Sequence, residues 1–233
     1  MHDVTRLICF TYAGGTSAFF NEIESELKGV EVIKPEYAGH GQRHNERFYN
    51  EFNDMTEDML SIIREDLDSR YAMFGYSMGC ITLVEVLGKI INLGLPMPIH
   101  VFLAAHEPHT KTELAGFSTD ESDDWVRERT IRFGAVPDKL INNNVFWRTY
   151  LPIYRADYNL IGQYKFEKLK LNTKIPATVF YSETDTPRSE MKLWEKYFTG
   201  ECDFRYYEGS HFFIREHYVE MAGVITRKLQ EKV

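Results

Sequence analysis

Short runs of apolar and β-branched residues alternate along this chain with longer stretches whose apolar positions recur every three or four residues. That alternation predicts βαβ units around a mainly parallel sheet, an α/β fold. Residues 6–10 (R-L-I-C-F) read as the first strand and 30–33 as the second, stopped by Pro35. Phe52, Met55, Met59, Ile62, Ile63 and Leu67 fall at helical spacing. Residues 71–74 (Y-A-M-F) form the next strand, and 80–87 open a long apolar helix. Further strands are expected at 100–105, 177–181 and 204–207. A closing helix over 217–229 carries Tyr218, Met221, Ala222, Ile225 and Leu229 on one face.

Between residues 108 and 170 the strand runs stop and charged helical patterns replace them. Ser118 with Glu121 three residues later makes a capping box ahead of Trp125, Val126 and Ile131. Pro137-Asp138 starts a second helix through Leu140 and Ile141, and 146–154 form a third. A helical insertion after about the fifth strand lies over the strands' C-terminal edge, where open α/β sheets bind substrates. The expectation is a lid; a purely structural helical layer has the same composition.

A length of 233 residues fits a single domain spanning 1–233, and 43% hydrophobic with 27% charged residues is the balance of a soluble globular chain. The formal net charge of -8 argues against nucleic acid, which a binder meets with a basic face. Cys9, Cys80 and Cys202 are odd in number and widely spaced, so they read as small apolar residues rather than a disulfide frame or a zinc site. The N-terminus lacks a basic segment followed by a long apolar one, and no apolar run reaches membrane-spanning length. A cytoplasmic monomer is the expectation.

The chemistry is concentrated at Gly75-Tyr76-Ser77-Met78-Gly79. This G-x-S-x-G follows a strand and opens a helix, the context in which a sharp turn lifts a nucleophilic serine clear of the sheet. A serine hydroxyl needs an imidazole to take its proton, and the imidazole needs a carboxylate to fix its tautomer. In this architecture the order is Ser, acid, His. His211 lies in a Gly-Ser turn between the last strand and the closing helix, whereas His217 falls in the helical pattern. Asp185 follows the strand at 177–181 in a loop; Glu183 competes two residues earlier, and Asp203 precedes a strand at the wrong edge. Two N–H donors must face the oxyanion. The backbone of Met78 is one, and Ala13 in the small-residue loop Thr11-Tyr12-Ala13-Gly14-Gly15 is the other. His106-Glu107-Pro108-His109 has the residue types of a metal site but no further partner set. It reads as hinge or pocket lining, with no metal and no cofactor expected.

Taken together, the motifs resemble the type II thioesterases that accompany nonribosomal peptide and polyketide synthases. The resemblance covers nearly the whole chain. It rests on 9–20 (C-F-T-Y-A-G-G-T-S-A-F-F), 37–43 (Y-A-G-H-G-Q-R), 74–79 (F-G-Y-S-M-G), 151–158 (L-P-I-Y-R-A-D-Y) and 209–214 (G-S-H-F-F-I). It implies an α/β-hydrolase fold, with Ser77, Asp185 and His211 as triad and Ala13 and Met78 as oxyanion donors. It also implies a mobile helical lid and an editing role, in which wrong or stalled acyl groups are hydrolysed from the phosphopantetheine arm of acyl- or peptidyl-carrier proteins. A carboxylesterase or acyltransferase on the same scaffold is the alternative, and a non-catalytic binding module a more distant one. The chain departs from the family pattern at Thr11-Tyr12 (usually Pro-His), Tyr76 (often His), Ala38 and His40 (usually Pro and Arg) and Ser182 (often Gly). Arg127, Arg129, Arg132 and Arg148 are candidates for docking an acidic carrier, with a solvated helix face as the other explanation.

Overall fold

The computed structural model describes residues 4–68, 70–109, 114, 117 and 120–230. One six-stranded sheet contains β1 (Thr5–Phe10), β2 (Val30–Ile33), β3 (Tyr71–Tyr76), β4 (Val101–Ala104), β5 (Ala177–Tyr181) and β6 (Cys202–Tyr206). All its pairings are parallel, in the spatial order β2-β1-β3-β4-β5-β6. β3 and β4 are buried at every position, which explains why they appear in the sequence as unbroken apolar runs rather than alternating ones. Phe74, Phe102 and Phe180 on β3, β4 and β5 meet in the core, the last two stacked at 6.1 Å.

Among the described residues the helices are α1 (Asn21–Glu26), α2 (Phe52–Ile63), α3 (Met78–Asn92), α4 (Asp123–Arg132), α5 (Asn144–Gln163), α6 (Arg188–Met191) and α7 (Ile214–Gln230). The connection through α1 runs outward from β1 to β2, and the one through α2 returns past β1 to β3. Right-handed crossovers therefore put α1 on one face and α2 and α3 on the other. The packing agrees, since α1 contacts α7 and α2 contacts α3. The strand order reverses at β1, so a crevice opens beyond the carboxyl ends of β1 and β3.

The expected elements are present, with corrections at their limits. The helical insertion follows the fourth strand, not the fifth, because only β1 to β4 precede it. The strand expected to end at residue 105 stops at Ala104, where Ala105 turns to a φ of 56°. Ser118 of the expected capping box lies outside the described residues; α4 is capped by Ser122, whose hydroxyl accepts from Trp125 N–H at 3.1 Å. The helix expected from Pro137 is a single 3-10 turn, Asp138–Leu140. The third helix is longer than its pattern suggested, 20 residues capped by Asn143 and running through Pro152. A mid-helix proline removes one backbone hydrogen bond. The helix persists because Trp147, Leu151, Tyr154, Tyr158 and Ile161 bury one continuous face. The closing helix starts at Ile214 and breaks at His217 (φ -123°, ψ 17°).

Candidate active site

Ser77 sits between β3 and α3 with φ 54° and ψ -120°. A side chain there costs about 1–3 kcal/mol of backbone strain, which the surrounding packing must offset. The turn is pinned by Ser77 N–H to the Ala104 carbonyl at 2.8 Å and by Cys80 N–H to the Ser77 carbonyl at 2.8 Å. Both motif glycines are forced by contact. A Cβ at Gly75 would lie 2.5 Å from the Gly79 oxygen, and one at Gly79 would lie 2.0 Å from the Phe10 oxygen. The turn thus wedges α3 against β1 with no room for a methyl group.

The three residues singled out as a triad come together. His211 Nε2 is 2.9 Å from Ser77 Oγ, and His211 Nδ1 is 2.9 Å from Asp185 Oδ1. A carboxylate only accepts, so Nδ1 carries the proton and the Nε2 lone pair faces the serine hydroxyl. The competitors are engaged elsewhere. Glu183 is exposed and accepts from Arg188 N–H. Asp203 pairs with Arg205 and Lys228, and His217 contacts Glu208 and Glu220.

The loops holding the acid and the histidine are tied to each other. Asp185 and Thr186 donate their backbone N–H groups to the Ser182 carbonyl, which folds the turn after β5. The hydroxyls of Ser182 and Thr184 both donate to the Gly209 carbonyl, two residues before His211. The Tyr76 hydroxyl donates to the His211 carbonyl at 2.7 Å from inside the core, so the residue beside the nucleophile supports the base. These tethers were invisible in the sequence, although Ser182 and Tyr76 are two of the positions where the chain departs from the family pattern.

Ala13 sits in the turn after β1, closed by Gly15 N–H to the Tyr12 carbonyl at 2.9 Å. Met78 is the first residue of α3, where backbone N–H groups have no intrahelical acceptor. Ala13, Ser77 and His211 line one recess of about 40 Å³ together with Tyr12 and Phe212. A larger cavity of about 430 Å³ shares Ser77 and His211 and runs beneath the helical insertion, which contributes Arg129, Phe133 and Ile161 to its wall.

His106 and Glu107 also belong to that wall, as the pocket-lining reading expected. His106 is buried, which pulls its pKa below the usual histidine value. Among the described residues no group of three His, Cys, Asp or Glu side chains is placed to hold a metal ion. The arginine set divides: Arg132 and Arg148 are exposed and Arg127 is half-buried, 5.6 Å over the Trp147 ring, whereas Arg129 is 6% exposed and lies 4.2 Å over the Phe133 ring. Burial, then the Arg132 charge, bring Arg129 down to about 10. Arg129 is therefore part of the cavity rather than of a docking surface. Cys9, Cys80 and Cys202 are all free, the first two buried and the third half-buried on the edge strand. No described helix is long and apolar enough to cross a membrane.

Known proteins resemble this chain in sequence and in fold. The rat (Rattus norvegicus) medium-chain S-acyl fatty acid synthase thioesterase is 27% identical over 218 residues, covering 91% of this chain and 82% of its own. RedJ, a thioesterase from the prodiginine biosynthetic pathway in Streptomyces coelicolor, superposes with a TM-score of 0.86 at 26% identity, covering 97% of this chain and 86% of its own. ClbQ from the colibactin NRPS/PKS pathway has the same fold at a TM-score of 0.88 and 24% identity, with 97% of each chain covered. The thioesterase-domain family model matches residues 5–229, and this chain, an α/β-hydrolase in fold, belongs to that family of thioester-cleaving enzymes.

Proposed function

We propose that this enzyme hydrolyses acyl thioesters held on the phosphopantetheine arm of carrier proteins, through an acyl-Ser77 intermediate. The observation that carries the reading is the unbroken chain of 2.9 Å contacts from Ser77 through His211 to Asp185 at the mouth of a cavity. Ser77 Oγ attacks the thioester carbonyl while its proton passes to His211 Nε2, and Asp185 stabilises the imidazolium. The N–H groups of Ala13 and Met78 stabilise the oxyanion. Collapse breaks the C–S bond, and the departing sulfur takes the proton from His211. Water, deprotonated by the same nitrogen, then attacks the acyl-enzyme and releases the free acid. No cofactor enters these steps.

Residues 108–170 act as a lid inserted in the single domain 1–233, a reading supported by the cavity that Arg129, Phe133 and Ile161 of the insertion line together with Ser77. Carrier-bound substrates are supported by the segments at 9–20 and 151–158 and by relatives named as a fatty acid synthase thioesterase and as a thioesterase of the prodiginine biosynthetic pathway. The role is removal of aberrant or stalled acyl groups. The candidate triad draws on one chain alone, which fits a monomer, and three free thiols fit a reducing cytoplasm.

The test is mass spectrometry of acyl-loaded carrier protein incubated with wild type and Ser77→Ala. Loss of the acyl mass with wild type alone is expected. An unchanged acyl carrier with both proteins, alongside rapid cleavage of the matched oxygen ester, would replace the thioesterase reading with a carboxylesterase. Transfer of the acyl group to an added alcohol or amine would indicate an acyltransferase.

A further inference from the structure

A second His–Asp pair is buried beside the site. Asp157 on α5 is 2% exposed and His40, in the loop after β2, is 1% exposed. The Asp157 Oδ2 atom receives two contacts, Gly14 N–H at 2.6 Å and His40 Nε2 at 3.0 Å. The other imidazole nitrogen, Nδ1, lies 3.0 Å from the Ala38 carbonyl. Both partners of the ring only accept, so it carries a proton on each nitrogen and is a cation. Burial, the largest influence, pulls the His40 pKa down. The Asp157 charge, the hydrogen bonds to Asp157 and Ala38 and the Glu36 charge together outweigh it, for a net rise.

An ion pair at this depth is expensive to desolvate and contributes little net stability compared with apolar packing of the same volume. Its location suggests another use. Gly14 directly follows Ala13 and adopts φ 78°, and its Cα lies against the Tyr154 ring, which a Cβ there would approach to 2.0 Å. Tyr154 and Asp157 are three residues apart on α5, so one helix face holds both the position and the N–H direction of the Gly14 peptide.

We propose that His40 and Asp157 are positioning residues for the reaction: their buried contact fixes the Gly14 peptide and, through it, aims the neighbouring Ala13 N–H at the developing oxyanion. The proposal rests on the reading of Ser77 as the nucleophile, with Ala13 as an oxyanion donor. It also makes α5 an integral wall of the site, joined to the loop after β1 by a charge-assisted hydrogen bond.

The test uses the full chain carrying Asp157→Ala, Asp157→Asn, His40→Gln or His40→Arg, with rates normalised to Ser77 titrated by a fluorophosphonate, so that misfolded molecules do not count. Asp157→Ala is expected to lower kcat about 10- to 100-fold, approaching the loss from deleting an oxyanion donor outright, with KM changed less than about threefold. A trifluoromethyl ketone, whose adduct with Ser77 bears an oxyanion, should lose affinity by the same factor. His40→Gln should fall between Asp157→Ala and wild type, and His40→Arg, which keeps the cation, should recover most of the rate. If Asp157→Ala does not fold, the isosteric Asp157→Asn takes its place, with a loss of about tenfold. A normalised kcat within twofold of wild type would overturn the proposal, as would a fall in kcat that leaves ketone affinity intact. Failure of the underlying reading looks different: turnover would then survive Ser77→Ala.

Discussion

Tyr76→Phe is the sharpest test of how the base is held. The substitution removes one oxygen and leaves the ring, which is fully buried and stacked on Phe212 at 6.3 Å, in place. What disappears is the 2.7 Å bond to the His211 carbonyl. A buried hydrogen bond contributes about 1 kcal/mol net, and a carbonyl left unpaired costs about 1–3 kcal/mol. The contact joins the fully buried Tyr76 to the half-buried His211, and the lower part of that range, about 1–2 kcal/mol, is taken for it. For a chain of this length that corresponds to a Tm lowered by roughly 5 °C. The histidine loop keeps its Ser182 and Thr184 tethers, so the ring should drift rather than detach. A tenfold lower kcat/KM, equivalent to about 1.4 kcal/mol, is the expected catalytic effect. The shape of the pH–rate profile should not change, because burial holds the Tyr76 hydroxyl protonated far above its ordinary range. The assay is hydrolysis of an acyl-pantetheine thioester per titrated active site, alongside thermal denaturation. A lowered Tm with unchanged kcat/KM would reduce Tyr76 to a packing residue, and no change in either would mean that the bond does not form.

The nucleophile's strain is measurable by comparing Ser77→Gly with Ser77→Ala, both inactive. Glycine usually destabilises relative to alanine by about 0.5–1 kcal/mol, but the positive φ at Ser77 reverses the order, so the glycine variant should melt higher; the opposite ranking would remove the strain argument. At Gly79 alanine has the better helix propensity by about 1 kcal/mol, yet its Cβ would meet the Phe10 carbonyl, so a loss of about 3 kcal/mol or more in urea denaturation is expected. The His40 pair makes stability depend on pH. With the folded pKa raised above 6.5, its stabilisation is fully present below about pH 6.5 and is lost as pH rises through the folded pKa. The unfolding free-energy difference between wild type and His40→Gln should therefore shrink on going from pH 6 to pH 9, and a difference that grows would invert the assignment.

What the sequence made legible follows from local physics. The strands and helices were visible because each buries a face with its own period, and the motif residues were visible because strand, glycine and serine lie side by side in the chain. Ser77, Asp185 and His211 follow one another in the order that the sheet brings to one edge, so topology alone was enough to propose them. Errors arose where local preference conflicts with packing. The third helix was expected to end at residue 154, but α5 continues to Gln163 because its buried face extends through Ile161.

The contacts that tune the site could not be read in the same way. His40 and Asp157 are separated by 117 residues and show no periodic signal, and each alone resembles an ordinary loop or helix residue. Chemistry was nevertheless at stake at several positions where the chain leaves the family pattern. Ser182, in place of a frequent glycine, provides a hydroxyl that ties the acid loop to the histidine loop. Tyr76, where histidine is common, supplies a donor that keeps its proton at any physiological pH. His40, where arginine is usual, places on Asp157 a cation that can lose its charge. Each of these three side chains makes a hydrogen bond, and the bonds differ in how they respond to pH. Tyr76 and Ser182 make the support of the triad insensitive to protons, and His40 makes the support of the oxyanion loop sensitive to them. Alkaline loss of activity is therefore expected to track the His40–Asp157 pair, with Asp157→Asn abolishing the alkaline limb and Tyr76→Phe leaving it in place.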